Sequence, residues 1–227
     1  MTDPQDLISE IERLLPAVDL AAVSRSRADD IYEAFVFSLV VSLAQDRGAE
    51  VSFVDHLGRP TKELRFRQGP GQIYTTDYSY SHALIRFGFT EPLEVHIGLK
   101  VQGRSGVLHE ADVLMLPREE ASISRQARVA PRASKCTLVI ECKHYVCSSL
   151  SLGLARNFQG LYSDLHIRHS YFVANKDSIS VARYLKGQKR EYEQRVSPGS
   201  DEVKFLQAKI REAFRSYVVE QDPSIVV

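Results

Sequence analysis

The chain has few cysteines, and their spacing does not suggest a disulfide framework. Of its 227 residues three are cysteines, Cys136, Cys142 and Cys147, all within twelve positions. Three cysteines cannot all pair within one chain, so we expect a reducing compartment. Together with His144 they could serve as zinc ligands. Their spacing lacks the paired Cys-x2-Cys arrangement of common zinc sites, so zinc is kept only as an alternative.

The sequence also lacks a long hydrophobic run and a secretory leader. Its longest apolar stretch, Ile31 to Ala44, is interrupted by Glu33 and is shorter than the roughly 20 residues of a transmembrane helix. Residues 1–15 contain acidic side chains and no basic start followed by an apolar run. We therefore expect a cytoplasmic protein that does not insert into a membrane.

The chain has no net charge, but its charges are unevenly distributed. The chain has 29 basic and 29 acidic residues. Residues 1–50 carry 4 basic and 10 acidic side chains, whereas residues 121–227 carry 17 basic and 10 acidic ones. A basic C-terminal half suits binding to a phosphate backbone, because lysine and arginine dominate affinity for nucleic acid. An uneven solvated surface would give the same pattern.

The pattern of apolar residues predicts one folded α/β domain over residues 1–227, with a mixed sheet. The composition, 44% hydrophobic and 26% charged, is that of a globular protein. Periodicity predicts helices over residues 5–15, Asp30–Asp46, Leu150–Leu165, Ser178–Arg195 and Asp201–Val219. It predicts strands over Glu50–Val54, Glu63–Arg67, Ala83–Phe89, Leu93–Val101, Leu108–Leu116, Thr137–Val146 and Ser170–Ala174. Residues 118–135 show no periodicity and are interpreted as a long connection.

Two of the predicted strands carry charged residues where a buried strand should be apolar. Asp112 lies within the run Ala-Asp-Val-Leu-Met-Leu, and Glu141 and Lys143 lie within Leu-Val-Ile-Glu-Cys-Lys. Because side chains alternate along a strand, Glu141 and Lys143 share one face, and Asp112 joins them if the two strands pair. Carboxylates suit Mg²⁺, and a nearby lysine can position the attacking water in phosphodiester hydrolysis. A second tripeptide of the same type, Glu202-Val203-Lys204, lies on a predicted amphipathic helix and is interpreted as surface charge.

The pattern Asp-(x)n-Glu-x-Lys, with Glu-Cys-Lys-His-Tyr at residues 141–145, resembles the PD-(D/E)XK, restriction-endonuclease-like superfamily, and Mrr-like enzymes in particular. The resemblance implies a core of helix, three-stranded meander, helix and strand over about residues 30–178. Helices would precede this core, and a helical extension over about 178–220 would follow it. It also implies that Asp112, Glu141 and the main-chain carbonyl of Cys142 hold Mg²⁺, for which Mn²⁺ can substitute, and that Lys143 acts on the water. The family's proline before the first acid is replaced here by Ala111.

Several further residues are candidates for the same site. Glu33 is either an additional metal ligand, as in many relatives, or part of a capping box that begins at Asp30. Gln159 and Arg156 either support the site or contact phosphate, or else they belong to an exposed helix face. In the long connection, Arg125, Arg128 and Arg132 are candidates for gripping a phosphate backbone.

These features lead us to expect an Mg²⁺-dependent endonuclease that acts on DNA, in restriction or phage defence by analogy. It would work as a homodimer or with partner subunits of a defence system. The alternative is a catalytically inactive module with the same fold that binds nucleic acid or assembles a complex, its charges forming a buried ion pair.

Overall fold

A seven-stranded mixed sheet organises the computed structural model, which describes residues 3–67, 69–145 and 149–222. The strands lie in chain order across the sheet. The first five pair antiparallel with one another, and the fifth, sixth and seventh run parallel to one another. Their bounds are β1 (Glu50–Asp55), β2 (Ser81–Arg86), β3 (Leu93–Gln102), β4 (Leu108–Pro117), β5 (Leu138–Lys143), β6 (His169–Ala174) and β7 (Glu191–Glu193).

The helices cover both faces of the sheet and create three hydrophobic cores. Within the described residues they are α1 (Pro4–Leu14), α2 (Ala28–Asp46), α3 (Arg118–Ala127), α4 (Leu152–Leu165), α5 (Ile179–Gly187) and α6 (Glu202–Gln221). The first core joins α1, α2 and α6 to β1–β6, the second includes Leu114, Leu116 and Val139, and the third lies beneath α4 and α5. None of the described helices has the length and apolar character needed to cross a membrane.

Helix α2 is the central helix of the first core because it is apolar on nearly all sides. Phe35, Val36 and Val40 are completely inaccessible to solvent, and the helix contacts strands β1–β5 as well as α1 and α6. A helix without a polar face is stable only when it is surrounded by protein. Glu33 therefore enters the protein interior on a helix that is held in place from several sides.

The predicted mixed α/β class is confirmed, but three local predictions are wrong. Residues 63–67 form no strand; they belong to a segment between β1 and β2 that buries Leu64 in the first core. The supposed connection at 118–135 contains α3, whose buried face includes Glu120 and Ser124, and these polar residues hide the helical period. The helix predicted over 178–195 ends at Gly187, and β7 follows instead, after Lys189 with a positive φ of 55°.

Candidate metal-binding active site

The three residues singled out in the sequence come together where β4 and β5 pair. Strand β4 lies antiparallel to β5, with Val113 opposite Ile140. Asp112 Oδ2 accepts a hydrogen bond of 2.7 Å from the Cys142 amide and one of 3.3 Å from Lys143 Nζ. Lys143 Nζ also lies 2.7 Å from Glu141 Oε1. The pairing that the Asp112 prediction required is therefore present.

Strand alternation explains why the charged side chains share one face. Cys142 is buried in the first core, so its neighbours Glu141 and Lys143 point to the opposite face. Leu114 and Leu116 pack in the second core, on the face that alternation also assigns to Asp112. Apolar residues on both faces fix the register of the two strands, because a slip of one residue would exchange the faces.

The chain that leaves β5 is held at the end of β6 by Asn175. Its Oδ1 accepts a hydrogen bond of 2.9 Å from the Tyr145 amide, and its Nδ2 donates one of 3.0 Å to the Tyr145 carbonyl. These two bonds replace the strand pairing just beyond Lys143, whose carbonyl accepts a bond from the Asn175 amide. Asn175 therefore helps to position the lysine, a role that the sequence alone did not reveal.

Two further carboxylates surround the group. Burial raises the pKa of Glu33 to about 10, with the negative charge of Asp112 adding to the shift and Lys143 opposing it. Glu110, two residues before Asp112, has its pKa raised by burial and again by Asp112. Glu110 was not among the predicted residues, although its i, i−2 relation to Asp112 on a strand could have identified it.

The capping alternative for Glu33 is wrong. Helix α2 begins at Ala28 rather than at Asp30, and the Asp30 carboxylate accepts a hydrogen bond of 3.2 Å from the Arg27 amide. Asp30 thus lies in the first turn of the helix, where its carboxylate accepts a hydrogen bond from the amide of the residue that precedes the helix. Glu33 is one turn further along and has no part in this cap, so its carboxylate is available to the acidic group.

The group contains more carboxyl groups than cations. Burial and Asp112 raise the pKa of Glu141 to about 7. Burial alone would lower the pKa of Lys143, but the charges of Asp112 and Glu141 raise it above its usual value. The residues named above thus bring four carboxyl groups to one ammonium, and Lys100 lies opposite Glu110 on β3. With a pKa of about 10, Glu33 holds its proton near neutral pH until a cation displaces it. Carboxyl oxygens are the ligands that a hard divalent cation prefers, so the donor set fits Mg²⁺ or Mn²⁺.

Replacing Glu33 by glutamine is expected to stabilise the metal-free protein. The folded-state pKa of about 10 lies above the unfolded value near 4.5. Between these values the unfolded chain releases a proton that the folded chain retains, so rising pH lowers the free energy of unfolding. Glu33→Gln removes this loss and should gain about 1–3 kcal/mol at pH 8, measured by thermal unfolding in EDTA.

The gain should be small at pH 5 and should grow towards pH 8. Glu12→Gln, an exposed glutamate on α1, is the matched control and should show no such trend. A Glu33→Gln protein that is no more stable than the parent at pH 8, or one whose gain does not depend on pH, would contradict the assignment of Glu33 to the acidic group.

No family model, curated protein or solved structure matches this chain. The function of the site is therefore inferred from its own chemistry.

The predicted phosphate-gripping arginines lie apart from the acidic group and have local partners. Arg125 makes bonds of 2.9 and 2.5 Å to the buried Glu94 carboxylate. Arg132 bonds to Glu120 at 3.0 and 2.5 Å. The guanidinium of Arg128 lies 5.3 Å from the centre of the Tyr74 ring. These contacts attach α3 and the residues that follow it to the second core and to β3.

Of the two candidates on α4, Gln159 forms its side-chain hydrogen bonds outside the acidic group. Gln159 accepts a hydrogen bond of 2.7 Å from Arg190 and donates one to Ser163. Arg156 is exposed on the same helix. The structure thus gives Gln159 a role in joining α4 to the segment before β7.

Among the described residues, only one group of three His, Cys, Asp or Glu side chains has donor atoms that all lie within 4.8 Å of one another, and it is separate from the acidic group. His82, Glu94 and His96 are buried, and their donor atoms lie within 4.8 Å of one another. Both oxygens of Glu94 already accept bonds from Arg125, whose Nη2 also lies 3.4 Å from His82 Nε2. Burial lowers the pKa of both histidines. The guanidinium thus supplies the positive charge beside Glu94, and a divalent ion there would be repelled by it.

The zinc alternative does not fit the described cysteines. Cys142 is buried in the first core, whereas Cys136 packs against the second, on the other side of the sheet. Two thiolates on opposite faces of a sheet cannot share one ion. Cys147 and Val146, the predicted end of the strand, lie outside the described residues.

Proposed function

We propose that the chain is a metal-dependent nuclease of the PD-(D/E)XK class that hydrolyses phosphodiester bonds in DNA. The observation that carries this proposal is the convergence of Asp112, Glu141 and Lys143 on one face of paired strands. Glu33 and Glu110 add further negative charge. Acidic residues with strongly shifted pKa values beside a lysine are typical of catalytic sites rather than of solvated surfaces.

The order of elements supports the same assignment. Helix α2 is followed, after β1 and β2, by the antiparallel strands β3, β4 and β5, then by α4 and the parallel strand β6. This order agrees with the helix, meander, helix and strand that the resemblance implies, with the acidic strands second and third in the meander. Strands β1 and β2, α3, β7 and the terminal helices are additions to that core.

Each residue then has a defined chemical role. Asp112, Glu141 and the Cys142 carbonyl would hold Mg²⁺ or Mn²⁺, and Glu33, whose charge interacts with that of Asp112, would act as a further ligand or orient a bound water. When bound, the metal stabilises negative charge on the phosphoryl and leaving oxygens. Lys143 holds the attacking water through its ammonium group and offsets the charge that develops at phosphorus. Water adds to phosphorus, the phosphorus bond to the leaving oxygen breaks, and one proton of the water passes by way of solvent to the leaving oxygen, since the Lys143 ammonium cannot accept it.

The proposal is tested by incubating the purified chain with supercoiled plasmid, single-stranded DNA and RNA, each with Mg²⁺, Mn²⁺ or EDTA. Nicking or linearisation of plasmid in either metal, abolished by EDTA, is the expected result. Cleavage of RNA alone would correct the substrate class. Failure to cut any substrate in either metal, or equal cleavage in EDTA, would refute nuclease activity.

An inactive nucleic-acid-binding or assembly module is the second candidate. The ion pairs of Lys143 with both Glu141 and Asp112 favour it, since they partly neutralise the carboxylates without a metal. Such a module would bind DNA without cutting it, and its thermal stability would not respond to Mg²⁺.

For the active enzyme we propose a cytoplasmic role in restriction or phage defence. A two-fold dimer would present two such sites to the two strands of DNA.

A further inference from the structure

The hairpin formed by the end of β3 and the start of β4 has one packed face and one open face. Its packed face contributes three apolar residues to the second core, namely Leu99, Val101 and Ala111. The register pairs Lys100 with Glu110 and Gln102 with Leu108, and residues directly opposite in an antiparallel pair lie on one face. These four residues therefore form the open face. Lys100 is half-buried and the other three are exposed.

A single carboxylate at the end of α4 fixes the tip of this hairpin. Asp164 Oδ1 accepts a hydrogen bond of 2.8 Å from the Ser105 amide, and Oδ2 accepts one of 2.6 Å from the Ser105 hydroxyl. Oδ2 also lies 2.6 Å from His109 Nε2, on the packed face. Gly103 allows this approach, because a side chain there would collide with the Asp164 carboxylate. The open face is thus held in place before any ligand binds, which lowers the entropic cost of binding.

The open face and the tip carry two cations without an ion pair to any described residue. Lys100 lies on β3, and Arg104 is exposed in the turn that follows. Glu110 is opposite Lys100, but its Oε1 lies 3.9 Å from the point that a Gly98 side chain would occupy, one strand repeat away. The nearest carboxylate on this face therefore does not neutralise Lys100 by direct contact. An anion from solution can reach both cations.

The open face continues into the acidic group. Glu110 belongs to both, and Asp112 follows two residues later on β4. Lys100, opposite Glu110, is therefore a diagonal neighbour of Asp112, at a distance of about 7–8 Å between the strands. Burial and then Asp112 raise the pKa of Glu110, and the charges of Lys143 and Lys100 oppose this rise. Lys100 thus lies beside the place where the proposed enzyme would hold the phosphate that is cut.

We propose that the open face of this hairpin binds the backbone of the DNA strand being cut, with Lys100 holding the phosphate next to the scissile one and Arg104 holding a phosphate further along. The inference rests on the proposed nuclease function and names the surface that aligns its substrate. Contacts to phosphates set the position of a nucleic acid without reading its sequence. Leu108, 44% exposed on the same face, can pack against a sugar. Lys100 and Arg104 position the strand and take no part in bond breaking.

The surface is tested in EDTA, so that the result does not depend on cleavage. Fluorescein-labelled single-stranded DNA and the corresponding duplex are titrated with the purified full chain at several NaCl concentrations, and fluorescence anisotropy gives the affinity. Each phosphate contact that is lost should reduce the slope of log affinity against log salt by about 0.7 for the single strand and about 0.9 for the duplex. Lys100→Gln and Arg104→Gln should each show this reduction, with a loss of affinity of at least about threefold at the lowest salt concentration.

Matched variants separate the charge from the shape of the side chain. Lys100→Arg keeps the cation and should retain the parental slope, whereas an effect of Lys100→Gln that came from disturbed packing would not be rescued by arginine. Arg47→Gln removes one positive charge from the exposed end of α2 and should change neither affinity nor slope. If circular dichroism shows that Lys100→Gln does not fold, Arg104→Gln alone tests the surface, because Arg104 is exposed.

Absence of DNA binding by the parent protein, or parental affinity and slope in both Lys100→Gln and Arg104→Gln, would refute the surface. An equal loss in Arg47→Gln would also refute it, because net charge alone would then account for binding. A chain that binds DNA through Lys100 and Arg104 in EDTA but cuts no substrate with metal would keep the surface and refute the nuclease. A chain that cuts DNA while both variants bind like the parent would keep the nuclease and refute the surface.

Discussion

Replacing Lys143 by alanine is expected to reduce Mg²⁺-dependent cleavage of DNA at least 100-fold while leaving metal binding intact. A positioned acid–base or charge-stabilising group commonly contributes about 10²–10⁴ to a rate. The ammonium lies 2.7 Å from Glu141 and 3.3 Å from Asp112, so it also competes with a cation for these carboxylates. Its removal should therefore leave the increase in unfolding temperature on adding Mg²⁺ at least as large as in the parent.

The chain contains a matched control for this experiment. Lys204 belongs to the second Glu-x-Lys tripeptide, at the surface of α6, where it bonds to Asp201 at 2.6 Å. Lys204→Ala removes a lysine from a tripeptide of the same Glu-x-Lys type. The Lys204→Ala protein should cut DNA at the parental rate. Equal cleavage by the parent and by folded Lys143→Ala would exclude Lys143 from the chemistry, and loss of the Mg²⁺ response would assign it to metal binding instead.

The site could be predicted from sequence to the extent that it depends on strand alternation. Glu141 and Lys143 are two positions apart on one strand, so their shared face is a local property. Asp112 required the pairing of β4 with β5, which the sequence suggested but did not determine. Glu33 comes from a helix that is distant in the sequence. The sequence indicated it only as a single acidic residue within an apolar run.

What the sequence could not predict depends on contacts between distant segments. Arg125 was predicted to bind a phosphate backbone because nothing nearby in the chain indicates that Glu94, 31 positions earlier, is its partner. Arg67 ends a segment that was predicted to be a strand. Its side chain instead packs on the Tyr80 ring and donates a hydrogen bond to the Ile97 carbonyl. Long-range ion pairs depend on the tertiary fold, and a single sequence contains no direct record of them.

Asp112→Asn should abolish both cleavage and the response to metal, which distinguishes it from Lys143→Ala. The change keeps the shape of the side chain and an oxygen that can accept the 2.7 Å bond from the Cys142 amide, so the β4–β5 pairing should survive. It removes one of the negative charges that attract a cation. We expect at least a 100-fold loss of cleavage at any Mg²⁺ concentration at which the parent protein cuts DNA.

The thermal response gives a second measurement that needs no substrate. A ligand at ten times its dissociation constant stabilises the folded state by about 1.4 kcal/mol, which for a chain of this size raises the unfolding temperature by a few degrees. That increase should be present in the parent and in Lys143→Ala, and absent in Asp112→Asn. Asp46→Asn, at the exposed end of α2, is the control and should respond like the parent. If Asp112→Asn responds to Mg²⁺ as strongly as the parent, the metal is bound elsewhere and Asp112 is not its ligand.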